Sequence, residues 1–294
     1  MRAHTRRCRK SKKTRRNKRR QYGKGVLNNL EKYVEPITVA IRHTFPEYQY
    51  KIYPSPEEDI IRIDIYCPND EPMILLWVSD NEMYIDLLAR CTGPSPQSMR
   101  GTDILKGIIA MGNELKSLGI KQLRLADAST IHYPNLPCTT SLAGYLILTS
   151  DAHHSWYNSY GFKSDNYEEE VKTNTLFSQQ PIMDLLRMLY TFRITKKKNP
   201  LGSLVKKVQK INWRTATGMN NTDGMDGLVK ELIDIYEGNV TPDMSIQEGI
   251  RRIHDIAHQA LSCKSPKITF YRDAMKAAFE YGIQYNNTDL IRPL

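Results

Sequence analysis

The stretch "IIRIDIYCPNDEPMILLWVSDNEMYIDLLA", residues 60–89, decides the fold of the N-terminal half. It holds three strand-like runs, at 60–67, 73–78 and 83–89, separated by the turn clusters PNDEP and SDNE. Such short connections join neighbouring strands that run in opposite directions, so we expect an antiparallel meander. Ile61 and Ile63 alternate with Arg62 and Asp64, which predicts one buried face. The run "MILLWV" is apolar throughout and predicts a central strand.

Helical patterns flank this meander on both sides. The downstream helix is predicted from apolar residues that recur on one face: Ile104, Ile108, Met111, Leu115 and Leu118. We expect Gly119 to end this helix. A strand over 122–126 follows, and a strand-helix-strand crossover makes it parallel to the strand before the helix. Upstream, residues 26–44 predict a helix that stops at Phe45-Pro46.

From residue 181 onward the pattern is helical. The segments that carry it are "PIMDLLRMLYTF", "SLVKKVQKI", "GLVKELIDIYE", "SIQEGIRRIHDIAHQAL" and "FYRDAMKAAFEYGI". Ser245 and Glu248 form a capping box that marks one helix start. The predicted fold class is therefore α+β: a mixed sheet with flanking helices over 26–180, then an all-helical domain over 181–294. The stretch "TKKKNPLGS" is the expected linker.

The N-terminal 25 residues form a basic arm. Residues 1–24 hold thirteen Lys or Arg and no acid, although the whole chain has 42 basic and 32 acidic residues, so the remainder carries a formal charge of −3. An arm with almost no apolar side chain stays disordered until it meets a polyanion, and nucleic acid is the commonest such partner. The candidate contacts are Arg6, Arg7, Arg15, Arg16, Arg19 and Arg20. A nuclear localisation signal or a solubilising tail is the alternative interpretation.

The composition argues against secreted and membrane proteins. The arm lacks the apolar segment of a secretory signal, and no apolar run approaches membrane-spanning length. Five cysteines are scattered, odd in number and never in a C-x-x-C arrangement. We therefore expect a soluble protein of a reducing compartment, in the cytoplasm or nucleus, with no membrane partner. Cys67 and Cys91 are interpreted as small buried apolar residues at strand ends.

The order of helix, meander, "RGTDIL", helix, strand and "WYNSYGF" resembles the GNAT superfamily of N-acetyltransferases over about residues 26–170. In that family an Arg/Gln-x-x-Gly-x-Gly/Ala turn holds the pyrophosphate of acetyl-CoA with backbone amides at a helix N-terminus. The resemblance implies acetyl-CoA as cofactor, with Arg100, Gly101 and Thr102 binding it. Asp103 and Leu105 stand where the family has small residues, and a carboxylate there repels a pyrophosphate by about 1 kcal/mol.

The later motif, "WYNSYGF", also resembles the family. An aromatic-Tyr-x-x-x-Gly-Phe segment there carries the tyrosine that protonates the departing CoA thiolate, which implies Tyr157 as the general acid. The alternative interpretation is that Tyr157 packs in an aromatic core and Gly161 serves a turn. No general base is identified; Asp86 and Asp127 are the nearest strand-associated carboxylates.

The sequence is compatible with three functions. One is an acetyltransferase acting on an amine or protein substrate. The second is a noncatalytic nucleic-acid-binding virion or packaging protein on the same scaffold, since the basic leader resembles uncharacterised proteins of large DNA viruses; such a protein would be located in the virion. The third is a ribosome-associated protein, which the −3 charge of the body disfavours.

The histidine pairs do not predict a metal site. His254 and His258 in "HDIAH" are spaced as in zinc proteases, but Asp255 replaces the usual glutamate and no third ligand is evident, while His254 borders an apolar helix face. The adjacent His153 and His154 diverge by about 100° on a helix and would not share a ligand. No metal is expected, and the oligomeric state is left open.

Overall fold

The computed structural model describes residues 31–55, 59–79, 81–91, 99–198 and 222–294. They form two compact units. The first comprises the described residues up to Leu125 together with Arg292–Leu294, and the second comprises Ala126–Ile291. The chain is α+β, as predicted, with a mixed six-stranded sheet, flanking helices and C-terminal helices. A domain boundary near residue 181 stays a prediction.

The elements follow one another along the chain in this order. The first part holds α1 (Glu31–Thr44), β1 (Gln49–Ser55), β2 (Ile60–Tyr66), β3 (Pro72–Val78), β4 (Glu82–Leu88), α2 (Gly101–Glu114) and β5 (Gln122–Leu125). The second part holds β6 (Thr130–His132), β7 (Thr139–Ser141), α3 (Leu142–Thr149), α4 (Tyr167–Ser178), α5 (Ile182–Lys198), α6 (Thr222–Ile235), α7 (Ile246–Ala257), α8 (Pro266–Tyr281) and β8 (Leu290–Pro293).

The sheet has the strand order β1-β2-β3-β4-β5-β8. Strands β1 to β4 pair antiparallel and β4 pairs parallel with β5, which confirms the predicted meander and crossover. The β3–β4 register shifts between Leu75 and Leu76. The sequence analysis missed β1, because its "QYKIYPS" contains a proline and only two apolar residues in alternation.

One face of the sheet forms the core of the first unit. Ile61, Ile63 and Ile65 are fully buried on this face, as their alternation predicted. Helix α2 packs against β4 and β5 and also contacts α1. A short 3₁₀ turn extends α2 to Leu118, and Gly119 follows with a φ of 98°, a backbone conformation that favours glycine. The predicted helix end at this glycine is confirmed.

The second unit is built mainly from helices around a small β6–β7 hairpin. The helices predicted after residue 181 are confirmed where the structure describes them; the segment "SLVKKVQKI" lies outside the described residues. The Ser245 hydroxyl accepts the amide of Glu248 at 3.1 Å, which confirms the predicted cap of α7. Helix α4 was not predicted, because its hydrophobic residues do not form a stripe.

The cysteines correct the prediction of free thiols. Cys67 is bonded to Cys91 in the first unit, and Cys138 is bonded to Cys263 in the second. Cys67 is buried, as expected, but as half of a disulfide. The partners are 24 and 125 residues apart, so no local spacing rule points to these pairings. The absence of C-x-x-C was therefore poor evidence for a reducing compartment.

Among the described residues, no helix is both long and apolar enough to cross a membrane.

Candidate functional site

The predicted cofactor residues lie at the N-terminus of α2 in the first unit. Arg100 is the N-cap, has extended backbone angles and is exposed, and its side chain makes no capping hydrogen bond. Its carbonyl accepts the amides of Asp103 and Ile104. The Gly101 and Thr102 amides precede these and have no acceptor within the helix, as is usual for a first turn. Two donors therefore stand at the positive end of a 14-residue helix.

Asp103 opposes anion binding at this helix end. It is exposed in the first turn, where its own carboxylate interacts with the positive end of the helix dipole. Asp103 stands where the GNAT pattern has a small residue. The helix end thus offers amides and the guanidinium of Arg100 to an anion, against one negative charge.

Tyr157 lies in a compact aromatic turn of the second unit. Its ring is 4.9 Å from that of Trp156 and 6.1 Å from that of Phe162, measured between centroids. Gly161 has a φ of 84°, so the turn needs a glycine there. The Asn158 amide group closes the turn by donating to the Phe162 carbonyl at 2.7 Å. The motif "WYNSYGF" therefore has a local structural basis, which fits the packing interpretation of its aromatic residues.

Tyr157 is nevertheless in the protonation state that a proton donor needs. Burial raises the pKa of Tyr157 well above that of a free tyrosine, and the nearby carboxylate of Asp127 raises it further. The phenol therefore stays protonated at neutral pH. Tyr157 is 8% exposed, and its hydroxyl is not one of the fully buried, unpaired polar atoms of the described residues. A protonated phenol can donate its proton to a group placed beside it.

Asp127 is the charged centre of this part of the second unit. It is 4% exposed. One carboxylate oxygen accepts the amide and the hydroxyl of Ser129 at 2.9 and 2.6 Å, and the other accepts the Tyr285 hydroxyl at 2.6 Å. Burial and the Asp127 charge raise the pKa of Tyr285. Since three donors occupy the carboxylate, it acts as a fixed negative charge beside Tyr157 more readily than as a base.

Tyr285 also borders a small recess of the second unit. The recess has no room for a water molecule, and it is lined by Ile147, His153, His154, Asn158, Tyr167, Glu170, Val171, Asn174 and Tyr285. In it, Nδ1 of His154 lies 2.8 Å from the Tyr167 hydroxyl. Burial lowers the pKa of His154, with smaller contributions from His153 and Lys163. Burial likewise raises the pKa of Tyr167.

The other polar groups of the recess serve structural roles. The carboxylate of Glu170 accepts the Ser164 hydroxyl and the Asn286 amide, and Asn174 forms a pair of hydrogen bonds with the backbone of Gln284. These bonds fasten the segment after α8 to α4. Only the His154–Tyr167 pair is left as a candidate for chemistry here, and the sequence analysis had set His154 aside.

The two histidines of α7 lie in an aromatic cluster. The His254 ring is 4.0 Å from that of Tyr145 and 4.2 Å from that of His258, and its Nδ1 is 3.2 Å from the Tyr271 hydroxyl. His254 is buried, as its position beside an apolar face predicted. No group of three or more metal-ligating side chains with suitable geometry occurs in the described ranges.

The predicted site residues are thus distributed over the chain. Arg100, Gly101 and Thr102 lie together in the first unit, and Tyr157 lies in the second. The six predicted nucleic-acid contacts, Arg6, Arg7, Arg15, Arg16, Arg19 and Arg20, lie outside the described residues, as does the rest of the arm over 1–25. The sequence analysis missed Tyr285, because it follows Asp127 by 158 residues and belongs to no motif.

Neither a family model, nor a curated protein, nor a solved structure matches this chain.

Proposed function

We propose that the chain is an N-acetyltransferase-like protein that transfers an acetyl group from acetyl-CoA to an amine. The observation that carries the proposal is Tyr157: a largely buried tyrosine in the motif "WYNSYGF", whose pKa is raised by burial and by the charge of Asp127. A protonated phenol can donate its proton to a departing thiolate, which is the role that the resemblance implies for this tyrosine.

The β4-α2-β5 crossover supports the proposal from the first unit. Strand β4 runs parallel to β5 over residues 82–85 and 122–125, and it continues to Leu88 beyond this pairing. Helix α2 follows β4 along the chain, and the amides of Gly101 and Thr102 are directed out of its first turn. A pyrophosphate fits such a helix end, since Gly101 has no side chain to block it and Arg100 adds a positive charge. Asp103 weakens this fit.

The chain's residues have distinct tasks in this chemistry. Acetyl-CoA, when bound, supplies the acetyl group as a thioester. Arg100 and the first amides of α2 would hold its pyrophosphate. The resemblance gives Tyr157 of the second unit the task of donating its proton to a thioester sulfur as the carbon–sulfur bond breaks, while the attacking amine loses a proton to water; the phenol then recovers its proton from solvent. Burial and the charge of Asp127 raise the pKa of Tyr157, which keeps the phenol protonated but makes it a weaker acid.

A second candidate is a noncatalytic nucleic-acid-binding protein, of the virion or packaging type, on the same scaffold. The observation that favours it is Asp103, which is exposed at the α2 N-terminus where a cofactor phosphate would lie. In this case the basic arm carries the function, and Tyr157 serves only for packing.

Calorimetric titration of acetyl-CoA into the full chain separates the two candidates. The titration is run at about 0.3 M salt, which weakens capture of the anion by the arm. Arg100→Glu is compared with Lys116→Glu, which makes the same charge change at an exposed position near the other end of the helix. We expect micromolar binding that Arg100→Glu abolishes and Lys116→Glu preserves. Equal losses in both variants, or no binding at millimolar acetyl-CoA, would refute the cofactor site.

Replacing Tyr157 tests the proton donor. Tyr157→Phe keeps the ring and removes the hydroxyl, so we expect CoA release with a polyamine or lysine-peptide acceptor to fall about 10²-fold to 10⁴-fold, with acetyl-CoA affinity unchanged. Tyr160→Phe is the matched control, since Tyr160 packs on the same Trp156. If Tyr157→Phe releases CoA as fast as the control, Tyr157 is a packing residue.

A further inference from the structure

Aromatic and basic side chains form a row across one face of the sheet of the first unit. The pairing register aligns one residue from each of five neighbouring strands in a row: Tyr53, Arg62, Trp77, Tyr84 and Arg124. The Arg62 guanidinium lies 5.6 Å from the ring centre of Tyr53 and 5.5 Å from that of Trp77. These are cation–π distances, so the rings and the cation form one continuous surface.

This row lies on the face opposite to the apolar core. The residues before and after Arg62, Ile61 and Ile63, are fully buried and point to the other side. On the edge strand β1, Tyr50 bonds Arg42 of α1, which places α1 on the core side. Tyr53 has the opposite parity, and 43% of it is exposed. A large aromatic side chain on an edge strand is therefore available to a partner.

The face carries a buried carboxylate and a partly exposed guanidinium bonded to it. Asp64 lies beneath the face, with 2% of its side chain exposed, and holds Arg62, of which 41% of the side chain is exposed. Arg62 Nε donates to Asp64 at 2.6 Å, and a second guanidinium nitrogen bonds the other oxygen, which fixes the orientation of the cation. Exposed Lys51 lies 5.3 Å above the half-buried ring of Tyr66. Asp64 compensates the charge of Arg62, and Glu82 lies 3.7 Å from Arg124 of the same row. Lys51 adds an exposed positive charge, so the donors that reach solvent on this face are cationic.

We propose that this aromatic–basic face, defined by Lys51, Tyr53, Arg62, Tyr66 and Trp77, binds single-stranded nucleic acid. Tyr53 stacks on a base, and Lys51 and Arg62 contact the phosphates on either side. Exposed rings beside fixed cations suit unpaired nucleotides, which offer a flat base and a charged backbone at short intervals. A duplex keeps its base faces stacked and cannot use the rings. The site depends neither on acetyl transfer nor on the arm.

Competition binding with the full chain tests this face. Fluorescence anisotropy is measured with a labelled 12-nucleotide oligo-dT or oligo-rU and an excess of unlabelled duplex, which saturates the arm because arm contacts are independent of strand structure. We expect single-strand binding to persist and Tyr53→Ala to weaken it about tenfold, the lower part of the range for losing one base stack. Tyr53→Phe keeps the ring and is expected to bind within about twofold of the wild type. A preference for oligo-rU over oligo-dT would identify RNA as the source.

Val39→Ala is the control for general surface effects, since Val39 is 54% exposed on α1 of the same unit. Its affinity is expected to match the wild type. Ultraviolet cross-linking of the wild type to oligo-dT gives a readout that needs no variant: we expect modification of the tryptic peptide 52–62, which contains Tyr53. Full displacement by duplex, unchanged affinity in a folded Tyr53→Ala, or cross-links confined to residues 1–24 would each overturn the proposal.

Discussion

The buried imidazole of His254 predicts that the protein loses stability in mild acid. Burial lowers the pKa of His254 from 6.5 to about 4, helped by the neighbouring His258 and opposed by Asp255. The unfolded chain therefore binds a proton at a higher pH than the folded chain does. The free energy of unfolding is therefore highest above about pH 6.5, where His254 is neutral in both states, and it falls as the pH drops from there toward 4.

The size of this loss follows from the two pKa values. A difference of about 2.5 units destabilises the fold by about 2 kcal/mol at pH 5 and about 3 kcal/mol at pH 4, relative to pH 7.5. The cause is structural. The ring lies between those of Tyr145 and His258, with the Tyr271 hydroxyl at its Nδ1, so protonation would place a positive charge inside an aromatic cluster.

Urea unfolding of the full chain, followed by circular dichroism at pH 7.5 and pH 5, measures the effect. Two variants remove the titration while changing the packing differently: His254→Phe and His254→Gln. At pH 7.5 each is expected to be less stable by about 1 to 3 kcal/mol, because the Tyr271 hydroxyl loses its partner. On going to pH 5, each is expected to lose about 2 kcal/mol less than the wild type. If both variants lose as much as the wild type, proton linkage at His254 is wrong.

Two further stability predictions concern the disulfides and the buried carboxylate. Under oxidising conditions Cys138→Ala is expected to cost about 5 kcal/mol and Cys67→Ala about 3.5 kcal/mol, because the first opens a loop of 125 residues and the second a loop of 24; urea midpoints that fall equally in both would contradict this order. Arg62→Met is expected to destabilise the first unit by about 3 to 5 kcal/mol, because it leaves the buried Asp64 without its cation. Arg62→Met combined with Asp64→Leu is expected to recover most of that loss in the same unfolding assay, and no recovery would show that the ion pair is not the cause.

Local sequence patterns predicted the helices and strands whose apolar residues repeat at a regular spacing or whose ends carry a capping residue. The alternation around Ile63 gave β2, and the capping pair Ser245 and Glu248 gave the start of α7, because both depend on residues a few positions apart. Strand β1 and helix α4 were not predicted, because they lack such a local pattern. Tertiary pairing with β2 stabilises β1, and polar bonds to the segment after α8 hold α4, and neither leaves a periodic signal in sequence.

Some parts of the candidate sites could be found from local sequence, and others only from the folded chain. The motif around Tyr157 could be found in the sequence, because Gly161 and Asn158 build its turn locally. Its charged neighbour Asp127 and that neighbour's partner Tyr285 could be assigned only once the chain was folded. The same holds for the aromatic–basic face, whose members come from different strands and meet through register.

The sequence by itself determined the α+β class, the antiparallel meander, the parallel crossover at α2 and the helical pattern after residue 181, since each follows from side-chain periodicity and short-range turn or cap chemistry. Only the tertiary structure decided which cysteines are bonded, that Tyr157 lies beside a fixed carboxylate, and that Tyr53 and Arg62 share an exposed face. These features join residues far apart in the chain, and the pairing of distant residues depends on packing the whole core.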